Sequence, residues 1–131
     1  MKKIGIIGTR KRDKGMDLKK SESKFLELYE EGDGIISGGC EEGGDRFAEI
    51  IAKKEGIPIL IFYPNKKKYG IPAAYFIRNS LIANNCDIII ACVVNPEEGI
   101  DEVLKRKTGG TEDTIKKFVK RTGNKSSVYL V

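Results

Sequence analysis

A single α/β domain, three layers deep around a mainly parallel five-stranded sheet, is the fold predicted for the 131 residues. Three observations carry this reading. Five short runs rich in Ile and Val alternate with segments whose apolar residues recur every three or four positions. The strand-like runs are mostly continuous rather than alternating in polarity, as strands covered on both faces are. No internal repeat, low-complexity tract or Pro/Ser-rich linker interrupts the alternation, and the length suits one domain with a real core.

The first run, Ile4 to Gly8, is followed by Leu18, Phe25, Leu28 and Tyr29 at helical spacing. Gly34 to Ser37 forms the second strand, and Phe47, Ile50 and Ile51 mark the helix after it. Ile57 to Tyr63 is the third strand. A helix over Pro72 to Asn85 follows, with Pro72 at an early helical position and Ala74, Ile77 and Leu81 inward. Asp87 to Val94 is the fourth strand. Residues 93–108 are the longest stretch between regular elements, and Asn95-Pro96-Glu97-Glu98 opens either a short extra helix or a lid. Ile115, Phe118 and Val119 give the last helix its apolar face, and Ser127 to Val131 closes the sheet. Strand and helix thus alternate from end to end, the order of a doubly wound, Rossmann-like sandwich whose right-handed crossovers place helices on both faces.

Composition removes several chemistries. With no histidine, neither a Ser-His-Asp nor a Cys-His nucleophile system can be built, nor a histidine-ligated metal site. Cys40, Cys86 and Cys92 are odd in number and contain no C-x-x-C pair, so reduced thiols are expected. G-x-G-x-x-G and Walker A sequences are absent, and the residues call for neither a metal nor a resident cofactor. No apolar run approaches the ~18 residues of a membrane span, and the start is strand-like rather than a signal-peptide core. A cytoplasmic protein without a membrane partner is the expectation.

In doubly wound sheets ligands bind at the carboxyl ends of the strands, where strand order reverses. Three loops predicted for that edge carry +3 each: Arg10-Lys11-Arg12-Asp13-Lys14, Lys66-Lys67-Lys68 and Lys105-Arg106-Lys107. The net charge of the chain is only +5, so the remainder is acidic and the basic excess is concentrated at one edge. An anionic ligand or a nucleic acid fits such an edge, and solvated lysine-rich loops are the plainer reading.

Four motifs sit on it. Gly8-Thr9-Arg10 ends the first strand with backbone and guanidinium donors suited to a phosphate. Gly38-Gly39 follows the second strand and lets backbone amides approach a ligand, while Asp45 either caps the next helix or joins the site. Cys40, in the same turn, has no histidine to activate it and reads as a small thiol at the edge of the core. Arg78 and Asn79 lie on the flank of the fourth helix, within reach of the strand ends. Gly109-Gly110-Thr111, preceded by Thr108, forms an anion cradle at a helix N-terminus. Glu112 and Asp113 beside it either complement the helix dipole or act as carboxylates on a bound sugar.

In combination, G-T-R, then S-G-G-x(4)-G-D-R-x-A-E, then F-x-R-N, then T-G-G-T-x-D-T resemble the SLOG superfamily over residues 3–131. That group takes in the Lonely-guy phosphoribohydrolases, the molybdenum-cofactor-carrier-like proteins and the core of the DNA-processing protein A (Smf) family. Phe76-Ile77-Arg78-Asn79 and Tyr63-Pro64-Asn65 are similar to stretches of the DNA-processing family, whose equivalent edge engages single-stranded DNA. Arg78 and Gly110-Thr111 are similar to the catalytic Arg and the phosphate-binding G-T of the Lonely-guy enzymes, which cleave the N-glycosidic bond of a nucleoside monophosphate. Thr114 stands where their Glu would be, leaving Asp113 or Glu112 to replace it. The resemblance implies a binder of a nucleoside monophosphate, ADP-ribose or an NAD-like ligand. Phosphates would meet Gly8, Thr9, Gly38, Gly39, Gly110 and Thr111, with Arg10 and Arg78 as counter-charges and Tyr63, Tyr69 or Tyr75 stacking on the base. It also implies a phosphoribohydrolase using Arg78, Asp113 or Glu112, or a single-stranded DNA module, as alternatives. A homodimer built through helices beside the sheet is implied as well.

Overall fold

The computed structural model describes residues 1–107 and 109–131. Its strands are β1 (Lys3–Gly8), β2 (Gly34–Ser37), β3 (Ile59–Ile61), β4 (Ile88–Cys92) and β5 (Val128–Leu130). Its helices are α1 (Gly15–Leu28), α2 (Gly44–Glu55), α3 (Lys66–Tyr69), α4 (Ala73–Asn85), α5 (Ile100–Lys105) and α6 (Gly110–Thr122). The strands form one sheet in the order β3-β2-β1-β4-β5, with every pairing parallel. The chain runs outward from β1 to β3 and then crosses back to β4 on the other side of β1. Strand order therefore reverses between β1 and β4, and the crevice expected of a doubly wound sheet opens there.

Burial explains why the strand sequences are continuous in apolarity. On one face Ile4, Ile6, Ile35, Ile88 and Ile90 pack against Phe25 of α1 and Phe47, Ala48 and Ile51 of α2. On the other, Ile7, Ile36, Ile89 and Ala91 pack against Ile82 and Ala83 of α4, Val103 of α5 and Ile115 and Phe118 of α6. Phe25, Phe47 and Phe118 are fully buried, each worth ~1.5–3 kcal/mol relative to exposure, which makes them the main anchors of helix to sheet.

Departures from the expected elements have local causes. β3 spans three residues rather than seven because it is an edge strand paired only with the short β2, and Leu60 and Tyr63 face outward. Asp87 stays outside β4 and turns its carboxylate to the Lys3 amide at 2.7 Å. Pro72 stands just before α4 rather than within its first turn. The Lys66-Lys67-Lys68 loop winds into α3, one helical turn started by Asn65, whose Oδ1 accepts from the Lys68 amide at 3.1 Å. The stretch after β4 holds both a tight turn at Pro96–Glu98 and the helix α5.

At the amino edge of the sheet, Asp33 is buried and accepts from the Lys2 and Glu30 amides at 2.7 and 2.9 Å, with the Lys2 ammonium 2.9 Å away. Burial pushes its carboxyl up, but the bonds from Lys2 and Glu30 outweigh this and lower it to about 2. A carboxylate held below its unfolded value stabilises the fold above pH ~4, and that contribution is lost as pH falls toward 2. Asp33→Asn is therefore expected to flatten the acid limb of a stability-against-pH curve between pH 4 and 2. Urea midpoints across that range check it, and parallel limbs for the two proteins would refute it.

Candidate ligand-binding site

Two cavities meet at the carboxyl edge of the sheet. The larger, of about 830 Å³, lies between the end of β1 and the first turns of α4 and α6, and is lined by Gly8, Thr9, Arg10, Lys11, Asp45, Arg78, Asn79 and Gly109 through Thr114. The smaller, of about 530 Å³, is lined by Gly38, Gly39, Glu41, Glu42, Tyr63 and Lys66. Arg10, Cys40, Tyr75 and Arg78 line both, so the two are lobes of one cleft. The residues proposed from sequence for the site fall within it, except Tyr69, and Thr108 lies outside the described residues. Tyr69 does not line either lobe, whereas Tyr63 and Tyr75 do.

The motifs hold the cleft in ways that sequence spacing does not show. The Gly38 to Cys40 turn wraps around a carboxylate of the protein's own, for Asp45 Oδ2 accepts from the Cys40 amide at 3.0 Å and the Gly38 amide also points at it. Gly43, not Asp45, holds the cap position before α2, and Asp45 faces back to the turn it braces. Burial pushes the Asp45 carboxyl up, against the lowering influence of the Cys40 and Gly38 amides and of Arg78, 3.9 Å away. A side chain at Gly38 would meet Arg78 Nη1 at 2.6 Å and Asp45 at 2.9 Å and displace both from the turn. The Thr9 amide is likewise engaged, donating to the Cys92 carbonyl at 2.9 Å, and its hydroxyl accepts from the Lys11 amide.

The first turn of α6 faces the larger lobe, with the Glu112 carboxylate folded back against Gly109. Gly109 precedes the helix, and its carbonyl accepts the first helical bond from the Asp113 amide at 3.0 Å. The amides of Gly110, Thr111 and Glu112 come before that bond and have no acceptor within the helix, so they and the dipole present positive potential to the larger lobe. Arg10, Lys11, Lys107 and Lys116 line the same lobe. Arg10 lies against the Cys40 sulfur, which raises its affinity for a proton further and keeps it cationic.

The two carboxylates singled out for chemistry are both engaged. Asp113 Oδ2 accepts from Asn79 Nδ2 at 3.0 Å and from Lys117 Nζ at 2.9 Å. Glu112 is buried, 3.4 Å from Arg106, which also binds Glu98 at 2.9 Å and the Asn95 carbonyl. Arg106 thereby straps residues 95–106 down beside the cleft. Thr114 donates its hydroxyl back to the Gly110 carbonyl at 3.0 Å, within the helix. Lys116, four residues beyond Glu112, is a lining residue that the sequence reading missed; its only signal was helical spacing from the motif.

No family model, curated protein or solved structure matches the chain.

Proposed function

We propose that the chain is a SLOG-type protein that binds a phosphorylated, nucleotide-derived ligand, such as a nucleoside monophosphate, ADP-ribose or an NAD-like molecule, at the carboxyl edge of its sheet. The observation that carries this reading is the two-lobed cleft. One lobe presents the first-turn amides of α6 with Arg10, Lys11 and Lys107 beside them, the other offers the rings of Tyr63 and Tyr75, and Arg10 and Arg78 stand where the lobes join. A phosphate in the larger lobe and a base on the tyrosines use every one of these features.

Binding without turnover is favoured over N-glycosidic cleavage because Asp113 is spent on Asn79 and Lys117, and Glu112 on Arg106. A small anion is favoured over single-stranded nucleic acid because much of the basic edge is spent inside the protein. Arg12 is tied to Asp17 at 2.9 Å and to the Val93 carbonyl at 2.7 Å, and Arg106 to Glu98 and Glu112. Of the other cations in these loops, Arg10, Lys11, Lys66 and Lys107 line the cleft.

Isothermal titration with adenosine 5′-monophosphate, NAD and ADP-ribose, with free base followed by chromatography, tests the proposal. At least one of the three is expected to bind in the micromolar range without releasing base, and with a shallow dependence on salt. Release of base would replace this reading with the phosphoribohydrolase. Failure of all three to bind, with steeply salt-dependent binding of an oligonucleotide, would replace it with the nucleic-acid module.

A further inference from the structure

We propose that Asn79, Asp113 and Lys117 form a relay whose task is to position Arg78 for the ligand, so that Asp113 is a positioning residue rather than an acid. The proposal rests on the cleft being the ligand site.

Arg78 is held on three sides. Its Nη1 donates to the Gly38 carbonyl at 2.5 Å, its Nε donates to Asn79 Oδ1 at 3.0 Å, and its face lies 5.9 Å from the centre of the Tyr75 ring. Among the described residues no hydrogen bond is made by Nη2, which is left for whatever occupies the junction of the lobes. Asn79 is 3% exposed, and its amide orientation is dictated from both ends. The oxygen must face the guanidinium, because the nitrogen donates to Asp113 Oδ2 at 3.0 Å, and a flipped amide would set donor against donor and acceptor against acceptor. Asp113 is fixed in turn by Lys117, one helical turn on, at 2.9 Å. Lys117 also donates to the Phe76 carbonyl at 2.9 Å, which closes the circuit back onto α4.

The relay runs from the first turn of α6 to the guanidinium at the junction. An arginine free to sample its rotamers would lose that freedom on binding, and one already locked by its neighbours does not. Charge balance points the same way. Lys117 neutralises Asp113, so the carboxylate can fix Asn79 without repelling an anion seated beside it.

A mere staple between α4 and α6 would use the same bonds, and two measurements separate the roles. The first needs no ligand: the Nε–H of Arg78, observed by NMR, is expected to exchange slowly in the wild type and to collapse to the solvent-averaged position in Asn79→Ala and Asp113→Ala. It is expected to persist in Asp113→Asn, which keeps an acceptor for Asn79. An Nε–H unchanged in Asn79→Ala and Asp113→Ala overturns the relay whether or not any nucleotide binds. The second is a double-mutant cycle on adenosine 5′-monophosphate affinity. Asn79→Ala is expected to weaken binding about tenfold in the wild type and less than twofold when Arg78 is already lysine. Equal losses in both backgrounds would make Asn79 a staple. Should Asn79→Ala fail to fold, Lys117→Met carries the same cycle from a residue outside the cleft lining, with a smaller expected loss. If the wild type binds none of the nucleotides while Arg78 behaves as described, the ligand assignment fails and the relay stands.

Discussion

Arg78→Ala is expected to weaken binding of adenosine 5′-monophosphate by about 100-fold or more while the sheet stays folded. Among the described residues, Arg78 is the one cation that touches both lobes and is also fixed by hydrogen bonds to the protein, at Gly38 and Asn79. Arg10 lines both lobes too, but among the described residues no hydrogen bond to oxygen or nitrogen fixes its side chain, and lysines on flexible stems contribute charge without geometry. A preset guanidinium in a half-enclosed cleft makes its bond to an anion at little cost in order, and truncating such a partner typically removes 2–5 kcal/mol. Arg78→Lys keeps the charge but cannot donate to Gly38, Asn79 and a ligand at once, and it is expected to recover only part of the loss, leaving binding about tenfold weaker than wild type. Arg78→Ala also removes a cation from beside Asp45, whose carboxyl burial already pushes up, and protonation of Asp45 offers the fold a way to absorb the change. Titration calorimetry on the three proteins, with circular dichroism to confirm folding, decides the matter. A loss of less than about threefold in Arg78→Ala would mean that the ligand seats elsewhere in the cleft.

The fold was legible because burial on both faces leaves its mark in composition. Ile35-Ile36 and Ile88-Ile89-Ile90 have no polar side to show, and only a covered parallel sheet uses such runs in short lengths between amphipathic helices. Less legible were elements whose residues are decided by local polar contacts, such as α3, which Asn65 starts, and the edge strand β3, which one neighbour alone holds. The outline of the site was legible for a different reason. Glycines and basic residues placed after strands must gather at one edge once the sheet is parallel, so Gly8, Arg10, Gly38 and Lys66 line one cleft whatever the details.

The division of labour within the site was not legible. Asp45 reads equally well as a cap or as a ligand group, and the structure shows Gly43 at the cap position and Asp45 accepting from the Cys40 amide, a contact that sequence spacing does not show because the turn it braces lies before it in the chain. Asp113 carries the right chemistry at the right place for an acid, and only the arrival of Asn79 from α4 shows where its lone pairs are spent. Arg12 and Arg106 counted toward the basic edge in sequence, yet their partners, Asp17 and Val93 for one and Glu98 and Glu112 for the other, turn them inward.

Gly44→Val is expected to remove most of the protein's stability. Gly44 begins α2, and the helix starts so close to the end of β1 that a Cβ at this position would lie 2.0 Å from the Ile7 carbonyl carbon and 2.2 Å from the Gly8 nitrogen. Both are backbone atoms in the central strand, paired to β4 with Gly8 opposite Cys92, so neither can swing aside as a side chain would. Relief has two routes. Either α2 moves outward and draws Phe47, Ala48 and Ile51 off Ile4, Ile6 and Ile35, or β1 surrenders the last of its ladder. Both open voids in a core that is otherwise close-packed, and a cost above about 4 kcal/mol is the scale for such a clash. Against a total of ~5–15 kcal/mol for a domain of this size, that is enough to unfold much of the population. Gly44→Ala carries the same Cβ and is expected to behave nearly as badly. Gly15→Ala is the matched control, since it too begins a helix but meets nothing within 4 Å, and it should be neutral or stabilised by about 0.4–1 kcal/mol. Urea denaturation followed by circular dichroism compares the three. A Gly44→Ala protein within about 1 kcal/mol of wild type would show that α2 can stand off from β1 without loss. Because Asp45 is the next residue, any outward shift of the helix also carries its carboxylate away from Cys40 and the Gly38 turn, so the closeness of α2 to β1 sets the shape of the cleft as well as the stability of the fold.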